Sequence, residues 1–195
     1  MIQQKRVLVI AGPTGVGEST ITKKIIKQYP IFKRLITATT REPRLNEKNR
    51  KDYYFFSADR FKDEIKKGNI IEHTFIKNRN VYYGSYKYDL ENKLKKGHNI
   101  IVNTDIVGAK YYKKNYNAAT IFIKPDSLAN LKKRQLFRNK NISKDELRKR
   151  MNYAKQEINN EAPFYSYTVI NKQDELNSAM KKVIKIIKTE GYCLK

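Results

Sequence analysis

GPTGVGEST, residues 12–20, decides how the rest of the chain is read. Before it runs RVLVIAG (6–12), a β-branched apolar stretch with the composition of a buried parallel strand. After it runs STITKKIIKQY (19–29), where Ile21, Ile25 and Ile26 share one face and lysines take the other, so an amphipathic helix is expected up to Pro30. A strand, a glycine-rich turn and a helix form the context in which a phosphate-binding loop has meaning. Such a loop reads Gly, four residues, Gly, Lys, then Ser or Thr. Gly12, Gly17 and Ser19 hold their places, with Gly15, Val16 and Thr20 beside them, but Glu18 stands where the lysine belongs. The backbone amides and the positive end of the helix favour phosphate oxygens at this point, and Ser19 is the expected Mg2+ ligand.

Working outward, RLITA (34–38) reads as a second strand, 39–52 as a polar loop, and YYFF (53–56) as a strand again. Ser57 caps an expected helix carrying Phe61 and Ile65 and ending at Gly68. NIIEHTFI and VYYGS form a hairpin around 77–80, and a helix over 86–96 follows. HNIIVNTD (98–105), ATIFIKP (119–125) and TVIN (168–171) read as further buried strands. Asp126 caps one more helix, Ser143 with Glu146 makes a capping box for the next, and DELNSAMKKVIKIIK closes the chain as a helix. Strands alternate with helices at both ends around a mixed block, which predicts a parallel α/β core carrying an inserted β-rich unit.

At 195 residues the expectation is one domain. The single Cys193 cannot form an internal bridge, which suits a reducing compartment. No apolar run approaches the ~20 residues of a membrane span, and no signal peptide is evident, so a cytoplasmic protein with no membrane partner is expected. The net charge of +23 raises polyanions as partners. Lysines greatly outnumber arginines and spread over every expected helix, however, as an A- and T-rich coding bias would produce, so nucleic acid is not the expected partner. His73 and His98 are isolated, which gives no zinc pattern.

The remaining chemistry lies in TTREPRLNEKNRKDYYF (39–55) and just beyond it. Arg41 and Arg44, three residues apart, suit bidentate grip of a phosphate. Glu47, Asp52 and Tyr53 follow in the same loop, and Glu72, Tyr83 and Ser85 add an acid, a phenol and a hydroxyl downstream.

Taken in order, GPTGVGEST, TTREPR…KDYYF, IIEH…YYGS, IVNTDIVGA and LKKRQLFR…RKRM resemble the guanylate kinases over about residues 5–190. The resemblance implies a P-loop NTPase core with a parallel sheet flanked by helices (1–36, 97–133, 157–195), a nucleoside-monophosphate-binding β-rich insertion (37–96) and a small helical lid (134–156). It implies transfer of a phosphoryl group from ATP, with Mg2+, to GMP or dGMP. By position, Gly12, Gly15, Val16, Gly17, Glu18, Ser19 and Thr20 would bind ATP phosphates. Arg41, Arg44, Tyr53 and Tyr83 would bind the monophosphate. Thr37, Glu72, Ser85, Asn103 and Asp105 would complete the GMP site. Arg41 with the lid residues Arg134, Arg138 and Arg150 would stabilise the transferring phosphoryl group. An acid at Glu72 suits guanine, whose N1–H and N2–H2 are adjacent donors; adenine would leave it unpaired.

Four positions depart from that pattern. At ~4 Å and an effective dielectric of ~20, losing the loop lysine removes about 4 kcal/mol of attraction, and an acid adds repulsion of like size. Glu18 opens a helix, so the expectation is that it can turn to solvent, where the helix dipole favours it. Lys23 and Lys24 lie over a turn further along, and a lid arginine is the better substitute cation. Asn103 replaces an acid two residues before Asp105. Asn46 and Arg50 replace glycines; asparagine tolerates a left-handed backbone and arginine less so, which predicts an altered turn at Arg50. The alternative to an active enzyme is a weak or inactive domain of the same type that binds GMP, a protein or a phosphopeptide.

Overall fold

Val7–Ala11 forms β1, buried along its whole length, and the larger sheet is built around it. The computed structural model describes residues 5–195, so the first four residues of the expected core segment 1–36 lie outside it. The other strands of this sheet are β2 (Phe32–Arg34), β7 (Asn99–Val102), β8 (Ala119–Pro125) and β9 (Tyr167–Asn171). Their order is β2-β7-β1-β8-β9, and every pairing is parallel. Alternation along β1 serves both faces. Leu8 and Ile10 meet Ile21 and Ile25 of α1 (Glu18–Gln28), Leu131 of α5 (Leu128–Arg138), and Val183 and Ile187 of α7 (Leu176–Thr189). Val7 and Val9 meet Leu90 of α3 (Lys87–Lys95) and Ala109 and Tyr112 of α4 (Ile106–Tyr116). A continuous apolar strand is what a sheet covered on both sides requires, and each such side chain contributes about 1.5–3 kcal/mol by burial.

A second sheet contains β3 (Ala38–Thr39), β4 (Tyr54–Phe55), β5 (Ile70–Ile76) and β6 (Val81–Tyr86), in the order β4-β3-β6-β5. Its apolar face packs on Phe61 of α2 (Ala58–Lys66), with Ala38, Phe56, Ile70, Tyr54 and Tyr82. Ser57 caps α2 as the sequence predicts, accepting from the Arg60 N–H at 3.2 Å. Because Tyr82 faces α2, its neighbour Tyr83 faces the opposite way, where it meets Thr74 across the β5–β6 pair. This polar face looks toward the larger sheet's β7–α4 junction.

Some expected elements sit differently. RLITA is not one strand: β2 ends at Arg34 and β3 begins at Ala38, in different sheets. The chain leaves the first sheet at Leu35, whose N–H donates to Ile101 O, and Ile36 N–H then donates to the Asp89 carboxylate at 2.9 Å. Ser127, not Asp126, caps α5; the Asp126 carboxylate accepts from Ser127 and Gln173 backbone N–H groups instead. Ser143 caps α6 (Lys144–Gln156) from one side only, because the Glu146 side chain turns to arginines rather than back to the cap. Helix α4 was not foreseen. Asp105 starts it, accepting from Val107 and Gly108 N–H, and Gly108 is needed because a Cβ there would lie 2.2 Å from Thr104 Oγ1. Among the described residues no helix is long and apolar enough to cross a membrane.

Candidate functional site

The glycine-rich loop joins β1 to α1. Gly17 caps α1 with φ 103°, and a Cβ there would meet Asn171 Nδ2 at 2.7 Å. Gly12 passes β8 so closely that a Cβ would sit 2.4 Å from Ile123 O. The loop is held by its carbonyls. Val16 O accepts from Asn171 Nδ2 at 2.7 Å and from an Arg134 nitrogen at 3.3 Å, and Thr14 O accepts from Gln135 Nε2 at 2.9 Å. The Val16 side chain is fully buried, so this residue offers a phosphate its backbone alone. Ser19 and Thr20 lie exposed on the first turn of α1.

Glu18 does not turn to solvent. It lines a cavity of about 190 Å³ with Asn103, Asp105, Glu157, Glu161 and Tyr165. Burial, and then the charge of Glu157, push its carboxyl up to about 8, against the opposing pull of Asn103 and Arg34. Burial followed by the charges of Glu161 and Asp105 lifts Glu157 itself to about 7. Three further acids around one cavity make an ionised Glu18 costly and favour its protonated form. The repulsion expected from the sequence is thereby reduced, while the missing cation is not replaced. Asn103 Nδ2 donates to Ile10 O and Thr22 Oγ1, both at 3.1 Å. An ionised aspartate has no proton to donate there. Asparagine thus ties β1, α1 and the end of β7 together and spares Glu18 one more charged neighbour.

A second cavity, of about 200 Å³, opens on the polar face of the small sheet and is lined by Thr37, Tyr53, Glu72, Thr74, Tyr83 and Asp105 among others. Glu72 is 8% exposed and accepts a short hydrogen bond from the Ser85 hydroxyl. Burial pushes it up to about 7. At the other end Arg41 Nε donates to the Tyr83 phenol at 3.1 Å, and its guanidinium lies 5.4 Å from the Tyr53 ring centre. In the ligand-free chain that guanidinium is paired with Glu47, at 2.9 and 3.1 Å. The structure thus brings Arg41, Tyr53, Tyr83, Glu72, Ser85, Thr37 and Asp105 to one place. Arg44 stays on the exposed loop, tied by its backbone N–H to Glu47. Asn46 and Arg50 both adopt positive φ, 71° and 62°, so arginine keeps the left-handed turn where an altered one was expected.

The lid arginines part company. Arg134 braces the phosphate loop and the end of β9, donating to Val16 O, Asn171 O and Gln173 Oε1. Arg138 is exposed at the end of α5. Arg150 pairs with Glu146 at 2.8 Å, and the same carboxylate oxygen accepts from Arg79 on the β5–β6 turn, also at 2.8 Å.

A family model described as guanylate kinase matches residues 4–190. The chain belongs to the guanylate kinase family. It is 37% identical to the guanylate kinase of Clostridium acetobutylicum over 191 residues, which is 97% of this chain and 88% of that one. It is 34% identical to that of Helicobacter pylori, covering 96% and 89% of the two chains. The crystal structure of guanylate kinase from Anaplasma phagocytophilum superposes with a TM-score of 0.75 at 25% identity, over 96% of this chain and 87% of that one.

Guanylate kinases work with ATP and Mg2+, and the donors at the loop fit such an ion. The Ser19 and Thr20 hydroxyls and the Asp105 and Glu157 carboxyls are all oxygen ligands, as hard Mg2+ prefers. Among the described residues no group of three or more His, Cys, Asp or Glu is placed to hold a metal ion by itself. Sequence reasoning missed Glu157, Glu161 and Thr74. The two acids lie far from the loop in sequence and reach it only through the fold, and a threonine on a strand carries no motif.

Proposed function

We propose that this member of the guanylate kinase family transfers the γ-phosphoryl group of ATP to GMP or dGMP, at a rate reduced by Glu18. One observation carries the acceptor assignment. A buried acid fixed by Ser85 faces the cavity at one end, and an Arg41–Tyr83–Tyr53 cluster faces it at the other. Glu72 accepts the paired N–H groups of guanine, and an adenine there would strand a buried carboxyl. The monophosphate displaces Glu47 from Arg41, one anion exchanging for another, and Tyr83 stays on the same guanidinium. Arg44 needs a modest swing of an exposed side chain to join.

ATP lies on 12–20, with Ser19 as the chain's own ligand to Mg2+, which neutralises phosphate charge when bound. No general base is required, because the acceptor is already an anion; alignment and charge stabilisation supply the rate. Arg134 is the arginine nearest the loop, against Val16 O, and it would have to give up its bonds to Asn171 O and Gln173 to stand in for the loop lysine. The lid's approach excludes water that would otherwise take the phosphoryl group.

The acid-lined cavity at Glu18 favours a second reading, a chain that binds GMP and turns over no ATP. A coupled assay with ATP, Mg2+ and GMP separates the two. We expect slow turnover in the native chain and a ten- to hundredfold gain in kcat/KM in Glu18→Lys, the worth of one restored phosphate contact at a screened site. Turnover absent in the native chain and present in the variant would sink the enzymatic reading and leave the binding one.

A further inference from the structure

A buried hydroxyl without a partner is costly, and native folds keep few. Among the described residues, Thr74 Oγ1 is one: it is shielded from solvent and meets no donor or acceptor. Four other buried polar atoms share that state, on His98, Tyr112, Gln135 and Asn171. Of the five, Thr74 alone belongs to a side chain on the wall of the acceptor cavity. Its place there follows from the strand. Thr74 is two residues beyond Glu72, so it shares that residue's face of β5, roughly 7 Å further along. It pairs directly with Tyr83 of β6, whose phenol takes the Arg41 N–H. The hydroxyl therefore sits between the acid that faces the base and the cluster that faces the phosphate.

We propose that Thr74 is a further acceptor-binding residue, its hydroxyl hydrogen-bonding the nucleoside monophosphate between base edge and phosphate. This rests on the acceptor reading given above. The part of a purine nucleotide that spans this gap offers N7 as an acceptor and the sugar 2′-hydroxyl as donor or acceptor. A change of χ1 rotamer, about 120°, turns Oγ1 toward either, since the side chain already borders the cavity. The ligand supplies the partner that the empty chain lacks, so the hydroxyl strengthens binding without contributing to the ligand-free fold.

The test uses Thr74→Val, which keeps the shape and removes the hydroxyl, and Thr74→Ser, which keeps the hydroxyl. GMP affinity is read by calorimetry, kcat and KM by the coupled assay, and Tm without ligand. The valine variant should bind GMP about five- to tenfold more weakly, the worth of one neutral hydrogen bond. Its kcat should be unchanged and its ligand-free Tm equal or higher. The serine variant should behave as the native chain. If the loss in the valine variant vanishes with 7-deaza-GMP, N7 is the partner; if it vanishes with dGMP, the 2′-hydroxyl is. Unchanged GMP affinity in Thr74→Val overturns the inference. So does a fall in ligand-free Tm, because the hydroxyl would then serve the fold. A native chain that takes up no GMP overturns the acceptor reading itself, an outcome distinct from a native chain that binds and a valine variant that binds equally.

Discussion

At neutral pH the Glu72 carboxyl stands near the midpoint of its titration, because burial pushes it up to about 7; the Ser85 hydroxyl holds it back and the charge of Asp105 adds to the push. The groups facing it from β6 and α4 are Ser85, Asp105, Tyr111 and Tyr112, and both phenols are held above their ordinary range, so neither titrates in this window. On the reading proposed above, guanine's N–H groups need the carboxylate, so binding expels the proton. The sign follows: below pH 7 GMP must first displace a proton, and affinity rises with pH until Glu72 is ionised. Between pH 6 and pH 8 the gain is about tenfold. The phosphate's own second ionisation near 6 adds a smaller rise that any variant shares. Calorimetry across this range should show the tenfold gain in the native chain and only the smaller part in Glu72→Gln; equal pH profiles in the two would remove Glu72 from the base. Residues of this kind are assigned through the resemblance to the guanylate kinases, since an acid, a phenol and a hydroxyl following an arginine pair would by themselves suit a solvated loop and hairpin. Glu18 could not be placed that way. Its local context, the first turn of a helix, favours solvent, and the cavity it borders is built by Glu157, Glu161 and Asn103 arriving from elsewhere in the chain.

Between elements, the informative contact is the one shared by α6, the β5–β6 turn and a lid arginine. Glu146 opens α6, where the helix dipole favours an acid, and its Oε1 accepts from both Arg150 and Arg79. The pair with Arg79 joins α6 to the β5–β6 turn in the ligand-free chain. All three side chains are partly exposed, so the link is weak, on the order of 0.2–1 kcal/mol. A double-mutant cycle of Arg79→Ala and Glu146→Ala, read by urea unfolding and by KM for GMP, should give a coupling in that range that shrinks at 0.5 M NaCl. Zero coupling at low salt would mean that the two elements are unlinked in solution. Elements with long apolar runs, such as β1, β8 and α7, follow from periodicity alone. The strand β4 lies inside YYFF, which the sequence marks, whereas β3 does not stand out, since a period of two cannot be seen in two residues, and RLITA misled because its apolar character serves a crossing between sheets. Helix α4 was hidden by Gly108 and by a run of tyrosines and lysines whose buried members are set by neighbours rather than by a clean stripe.

For the whole molecule, fold and charge answer to different physics. The parallel sheet and its inserted unit follow from the order of apolar segments, which any surface composition would leave intact. The charge of +23 sits on that surface. Exposed lysines cover the outer sides of α1 (Lys23, Lys24, Lys27) and α7 (Lys181, Lys182, Lys185, Lys188), among other helices. Half of the ten ion pairs of the described residues are exposed contacts between side chains three or four apart in sequence, each worth a few tenths of a kcal/mol. They cannot balance 42 cations against 19 anions. Folding draws these charges together, so self-repulsion is greater in the native state than in the unfolded chain. Salt shortens its reach from about 30 Å at 0.01 M to about 8 Å at 0.15 M, which is less than the distance between most of these lysines across the molecule. The expected outcome is a Tm that rises by several degrees between 10 and 150 mM NaCl. Loss of the ion pairs over the same range should be too small to reverse it. A Tm that falls with salt would show attraction to dominate, and the basic surface would then have to be organised into networks that the pairs within single helices do not supply.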